Sequence, residues 1–359
     1  MEKRKLVVAC SAPVKAILSG EHGVVHGTPG IAITFEPANK VSLFEESGAP
    51  GFVLESDRGS AVLDASGEII GGQGKQHFAP FAVMVKKMIV ELKLVPKTRL
   101  VAVIESAKAP KGMGNSASIA AALASALLHY FGRPPSKAVK PEQDELWMLV
   151  QSAEEVAHGG RPSGIDAMAV CYGPAKLLRV VEGGKPVWKF EGKAGASAPA
   201  GTKFIVVDTF SQGERAKTGD MVKLFAQNNG LLDSTGAVKA LVELGANDKR
   251  KLSVFVKVFE EIVGELHEKG DARKLGAALK KNHLLLSAAG VSTKQIDEVV
   301  EIAENNGAFG AKLTGAGGNG GAVIILAPQD DSKVVAALQA KGYAIFGATP
   351  VARGARKER

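Results

Sequence analysis

The run from Arg99 to Leu128 constrains the fold more than any other stretch. Residues 99–105 (Arg-Leu-Val-Ala-Val-Ile-Glu) are apolar and β-branched and read as a strand, while Asn115 to Leu128 is nearly all Ala, Ser and Leu and reads as a buried helix. Between them lies Ala109-Pro110-Lys111-Gly112-Met113-Gly114-Asn115-Ser116-Ala117-Ser118, a turn with two glycines. Strand, glycine turn and helix start together make an anion site. The first helical N–H groups lack acceptors, the macrodipole is positive there, and glycine lets a phosphate approach. An ordinary glycine-rich turn is the alternative. A dinucleotide fingerprint is only half met, because no Asp or Glu occurs between Glu105 and Glu142 to hold a ribose. The G-x-x-x-x-G-K-[ST] loop and the H-R-D and D-F-G signatures are absent.

At 359 residues the chain exceeds what one core usually fills, so two domains are expected. Its net charge of +8 comes from scattered basic residues, which suits small anionic substrates better than a nucleic-acid groove. Aromatic content of 5% also argues against stacking platforms for single strands. Cys10 and Cys171 are too few and too far apart for a disulfide framework or a C-x-x-C metal site, which points to a cytoplasmic protein. The apolar run Leu6 to Cys10 is too short for a signal-peptide core, and no run has the length of a membrane span.

Along the chain, residues 5–12 read as a strand entering a loop-like segment, 13–27, rich in ionisable side chains. Strands at 31–35 and 41–44, hairpins or a surface loop in 45–74 and an amphipathic helix over 77–94 follow. A helix over 142–157 places Leu146, Leu149, Val150, Ala153 and Ala157 on one stripe with Glu154 beside it, and stops at His158-Gly159-Gly160-Arg161-Pro162. Strands are expected at 176–181, 186–190 and 203–208, with an inter-domain linker around 191–201. Helices at 214–227, 235–244, 250–268, 271–288 and 292–305 lead to a strand, the glycine run Lys312 to Gly321, strand 322–327, helix 331–341 and strand 343–348. The mixture is α+β.

Three segments, 13–27, 110–118 and 312–321, pair glycines with chemically useful side chains and jointly resemble the motifs of the GHMP kinases. Pro110, Gly112, Gly114, Ser116 and Ala117 match P-x-x-x-G-L-G-S-S-A, with Met113 for Leu and Asn115 for the first Ser. Residues 312–321 are similar to K-x-T-G-A-G-G-G-G, with Asn319 for one glycine. Ala12 to Gly27 resembles the A-P-G-K-x-I-L-x-G-E-H-x-V-V-x-G of the mevalonate-kinase branch, with Val14 for Gly, and Pro162-Ser163-Gly164-Ile165-Asp166 matches its P-S-G-[IV]-D. The resemblance implies a two-domain GHMP fold: a ribosomal protein S5 domain 2-like half over 1–195 and a ferredoxin-like α/β sandwich over 196–359.

It further implies ATP and mevalonate as partners, with Mg²⁺, no nucleic acid and no membrane, and it admits a homodimer. Lys111, Gly112, Met113, Gly114, Asn115, Ser116 and Ala117 would hold the ATP phosphates, and Thr314, Gly315, Ala316 and Gly317 would close over them. Ser116 and Glu154 would bind Mg²⁺, a hard cation that takes oxygen ligands. One extra residue between His158 and Pro162 leaves Glu155 as a rival, and counting back from His158-Gly159 favours Glu154. Asp166 would act on the substrate hydroxyl with Lys15 beside it, while Glu21, His22 and Ser163 would face mevalonate, His22 donating to its carboxylate. Plainer roles stand beside these: Ser116 as a helix cap, Ser163-x-x-Asp166 as a capping box, Glu154 as a solvated helix residue, Lys15 as a surface charge and His22 as a structural histidine. Other implied activities are phosphorylation of phosphomevalonate, homoserine or a sugar, or an inactive ligand-sensing regulator.

Overall fold

Two long antiparallel strands, β1 (Lys5–Ser19) and β2 (Gly30–Glu46), organise the N-terminal half of the computed structural model, which describes residues 4–136, 143–159, 162–192, 196–210 and 214–359. Residues 13–18, expected as loop, belong to β1. A register shift between Pro13 and Val14 accommodates the missing proline N–H, and beyond it Val14, Ala16 and Leu18 alternate with Lys15 and Ile17 across the pleat. The first set joins a buried cluster with Ile31, Ile33 and Phe35, so Lys15 faces the opposite side of the sheet.

The expected hairpins in 45–74 form β3 (Gly51–Ser56), β4 (Gly59–Asp64) and β5 (Ile69–Gly71). Then come α1 (Ala79–Leu92), β6 (Arg99–Glu105), α2 (Asn115–Tyr130), α3 (Glu145–Ala157), α4 (Ile165–Tyr172), β7 (Ala175–Glu182) and β8 (Lys185–Gly192). Asp144 caps α3 by accepting from the Trp147 N–H at 3.0 Å; the expected start at Glu142 and part of the expected linker, 193–195, lie outside the described residues. Small residues let α2 bury one side after another, and it lies against β1, β2 and α3 inside the N-terminal core.

The second half runs β9 (Thr202–Asp208), α5 (Thr218–Asn228), α6 (Ala246–Glu265), α7 (Ala272–Ala288), α8 (Lys294–Asn305), β10 (Gly310–Thr314), β11 (Ala322–Pro328), α9 (Ser332–Ala340), β12 (Ala344–Val351) and β13 (Arg356–Lys357). The helix expected at 235–244 is absent. Asp233 instead accepts from the N–H groups of Thr235 and Ala237, Gly236 adopts φ +79°, and Leu232 bridges to Val238, which turns the chain before a short 3₁₀ piece at Leu241–Glu243. Among the described residues the strands form one sheet, ordered β10-β11-β9-β12-β2-β6-β3-β4-β5, with β1 and β7 also pairing to β2. β12 pairs with β9 through Ala344–Ala348 and with β2 through Thr349–Val351, while β13 pairs with β1, so the end of the chain ties the halves together. A shared buried cluster joins Val14, Leu18 and Phe35 to Phe204, Phe259 and Ile324.

Candidate active site

The two glycine loops meet at the junction of the halves. A Cβ on Gly112 would lie 3.4 Å from the Thr314 carbonyl oxygen, and one on Gly315 would lie 3.2 Å from Gly112 Cα. Gly114, at φ +66°, is the residue before α2, and a Cβ there would strike Lys15 Cε at 2.6 Å, so the Lys15 stem occupies the space a side chain would fill. Ser116 is the second residue of α2 and makes no capping bond; among the described residues its hydroxyl has no hydrogen-bond partner. Asn115, which replaces a serine of the resembled motif, holds the loop by donating to the Ala109 carbonyl at 2.7 Å. Buried Asn39 completes this support, donating to Ser118 Oγ (2.9 Å) and accepting from the Ala107 N–H (2.7 Å). Met113 is buried, and its carbonyl accepts from the Lys15 N–H at 2.9 Å.

Lys15 is not a surface charge. Its Nζ lies 2.8 Å from Asp166 Oδ1 and donates to the Gly112 carbonyl at 3.2 Å, with side-chain exposures of 2% for Lys15 and 18% for Asp166. Asp166 does not close a capping box: Gly164 (φ +88°) precedes α4 without a side-chain cap, and Ser163 Oγ accepts from Ile165 N–H at 3.4 Å. Glu154 is buried and Glu155 exposed, since helical periodicity turns only the former inward. His158 Nε2 sits 2.9 Å from Glu154 Oε2, while Glu154 Oε1 is buried with no partner. Burial disfavours charge on His158, and the Glu154 carboxylate outweighs it, so its pKa is raised. Ligand atoms of Glu154, His158 and Asp166 all lie within 4.8 Å of one another. A buried orphan carboxylate oxygen beside a second carboxylate, with the free hydroxyl of Ser116 on the neighbouring helix start, fits a divalent cation.

The Glu21-His22 turn is placed differently from expectation. Glu21 has no exposed side-chain surface and forms an ion pair with Lys312, also fully enclosed, so it does not face an open substrate site. Burial pushes Glu21 up and Lys312 down, each toward its neutral form, and their mutual contact opposes both shifts. His22 stacks 5.6 Å from the Phe225 ring, and burial lowers it to about 4, so the ring is neutral at pH 7. Its Nε2 lies 3.0 Å from the Ala316 carbonyl, which can only accept; the proton is therefore on Nε2, and Nδ1 is left as an acceptor. In this tautomer the ring leaves Nδ1 as an acceptor for a further donor. Thr314 is fully buried, and its hydroxyl accepts from Ile17 N–H and donates to Ile17 C=O, both at 3.0 Å, rather than pointing at an anion.

Sequence reasoning missed Arg215. It bonds Asp208 Oδ2 at 3.0 Å and the Gly320 carbonyl at 2.9 Å, and lies 4.0 Å over the Phe210 ring. Lys111 has its pKa lowered, first by burial and then by Arg215, so two cations share the lip of the glycine loops. Nothing in residues 185–250 formed a recognisable motif, and no local pattern could have singled Arg215 out.

The family model described as the GHMP kinases N-terminal domain matches residues 83–174, and the GHMP kinases C-terminal model matches 262–344. Mevalonate kinase of Pyrococcus horikoshii is 31% identical to the chain over 350 residues, which cover 93% of each protein. A crystal structure of Methanococcus jannaschii mevalonate kinase superposes with a TM-score of 0.72 at 24% identity, covering 96% of this chain and 98% of that one. A crystal structure of L. major mevalonate kinase in complex with R-mevalonate superposes with a TM-score of 0.69 at 24% identity, covering 98% of this chain and 99% of that one.

Proposed function

Because the chain belongs to the mevalonate kinase family of GHMP kinases, we propose that it transfers the γ-phosphoryl group of ATP to the 5-hydroxyl of mevalonate. The observation that carries the chemistry is the 2.8 Å contact between Lys15 and Asp166, placed where the two glycine loops abut.

Phosphoryl transfer requires cradled phosphates, a positioned hydroxyl and compensation of charge at the transferring group. The N–H groups at the start of α2 and the loop Gly315 to Gly317 supply the cradle, with Lys111 and Arg215 at its lip. Ser116 and Glu154 would hold Mg²⁺, which supplies charge neutralisation on the phosphates when bound. Asp166, partly open to the site, accepts the hydroxyl proton or orients it, and Lys15 stabilises negative charge on the attacking oxygen. His22 Nδ1 is the acceptor available to a second substrate hydroxyl, and Ser163 adjoins the same helix start. Glu21 acts from behind as the partner of Lys312.

An inactive regulator would have no reason to keep Lys15, Asp166 and an orphan Glu154 oxygen in register. Among the described residues no helix is long and apolar enough to cross a membrane. A coupled ADP-release assay over mevalonate, phosphomevalonate, homoserine and galactose tests the substrate. Turnover with mevalonate at least about tenfold above the others is expected, a difference of roughly 1.4 kcal/mol in the barrier. Preference for phosphomevalonate would overturn the substrate and leave the reaction class standing.

A further inference from the structure

The Glu21–Lys312 pair is buried more completely than the Lys15–Asp166 pair, and of the two Glu21 oxygens only Oε1 has a partner. Lys312 lies on β10, which runs directly into the glycine loop, and Glu21 follows β1, which carries Lys15. Besides Glu21, Lys312 Nζ donates to the Ile17 carbonyl at 3.3 Å and to the Leu313 carbonyl. Two residues on, Thr314 bonds both backbone groups of Ile17, and two further on the Ala316 carbonyl takes the His22 proton. Lys312 and Thr314 at the end of β10 and Ala316 in the loop beyond it therefore hold Ile17 of β1 and the Glu21 and His22 side chains of the turn that follows. The grip falls where β1 departs from regular pairing, at the register shift between Ile17 and Ser19. That shift is one of two irregularities that flank Lys15, the other being the shift between Pro13 and Val14, and at each the ladder constrains the strand less than regular pairing would.

We propose that Lys312 is a positioning residue which, through Glu21 and Ile17, locks the strand carrying Lys15 to the strand that ends in the phosphate-side glycine loop, so that the two halves of the site move as one body. A buried ion pair fits this task better than an apolar contact. It adds little net stability over well-packed hydrophobic residues, but a slip of either strand would strand both buried charges. The Lys312 ammonium is taken up by the Ile17 and Leu313 carbonyls and the Glu21 carboxylate, so its effect on the reaction would pass through the strand that carries Lys15. The proposal rests on the kinase reading for its kinetic arm only.

Lys312→Met alone leaves Glu21 buried and unpaired and is a poor test, because the chain can fail to fold. The informative comparison is Glu21→Gln against the double variant Lys312→Met/Glu21→Gln, which differ only at Lys312 and leave no lone buried carboxylate. Glu21→Gln strands the buried Lys312 ammonium and should melt below the double variant, so kcat is compared at a temperature where both are fully folded. The double variant should lose at least about tenfold more kcat than Glu21→Gln, with KM for ATP and mevalonate shifted less than about threefold. In hydrogen exchange, Mg·ADP added to wild type should protect 15–22 as well as 110–118 and 314–320. In the double variant, protection of 15–22 should be lost while the glycine loops stay protected. This arm does not depend on which substrate is phosphorylated, so a wild type inactive on mevalonate would refute the substrate and still leave the lock measurable. Equal kcat in the two variants, or protection of 15–22 surviving in the double variant, would overturn the proposal.

Discussion

Two lysine–carboxylate pairs sit within a few residues of each other in sequence on one side and differ in their access to solvent. Lys15–Asp166 keeps its acid 18% exposed, whereas Glu21–Lys312 has no exposed side-chain surface on either partner. The difference teaches what solvent access decides. An ion pair that water and substrate can reach is able to exchange partners during a reaction, and a sealed pair of the same chemistry serves as a fixed strut.

The sharpest way to break this contrast is to remove the charge of the open acid. Asp166→Asn keeps hydrogen-bonding capacity and should lower kcat by about 10²–10⁴, with nucleotide affinity nearly unchanged, as single-turnover and binding measurements would show. On the sealed side the loss should appear in stability instead. Lys312→Met should cost about 3–5 kcal/mol in denaturant unfolding, because it strands the Glu21 charge, and a cost below about 1 kcal/mol would mean that Glu21 simply protonates without penalty.

Acid should also act through two buried histidines near that pair. His22 and His26 are both held at about 4 by burial, below the ordinary 6.5. Unfolded chains bind more protons than folded ones in this window, so the stability is fully present above about pH 6.5 and is lost as pH falls through it toward 4. Each group accounts for about 3 kcal/mol of that loss. Both ring nitrogens of His26 are buried without partners and the ring stacks 6.0 Å from Phe225, so His26→Phe should flatten part of the acid limb in melts recorded from pH 7 to 4. The smallest stability effect belongs to Ser116→Ala. Since Ser116 caps nothing, unfolding should shift by no more than about 0.5 kcal/mol while the Mg²⁺ concentration needed for half-maximal rate rises. A loss nearer 1 kcal/mol with normal Mg²⁺ dependence would return the residue to a structural role.

The open pair was the legible one. Gly112, Gly114 and the small residues after Asn115 declare a loop and helix start within ten residues, and counting back from His158-Gly159 favours Glu154, which is buried while Glu155 is exposed. Lys15 was legible as a candidate only, because Pro13 and the ionisable residues around it obscured the alternation of Val14, Ala16 and Leu18 that makes the segment a strand. The sealed pair was not legible. Glu21 and Lys312 are separated by 291 positions and meet only because the end of β10 reaches the end of β1, where Thr314 and Lys312 bond Ile17, and no local periodicity encodes that contact. The tautomer of His22 is set in the same way, by a carbonyl nearly three hundred residues away. The turn at Asp233 to Gly236 was legible in principle, and the apolar spacing of Val238, Leu241 and Val242 hid it behind a helical period.

The central claim is that Lys15 and Asp166 act on the substrate hydroxyl as one unit, and a double-mutant cycle on kcat tests it most directly. Lys15→Met and Asp166→Asn should each lower kcat by about 10²–10⁴, and the double variant should fall no more than about threefold below the worse single. A double variant that loses the product of the two single effects, or an Asp166→Asn enzyme that keeps more than about a third of wild-type kcat, would contradict it.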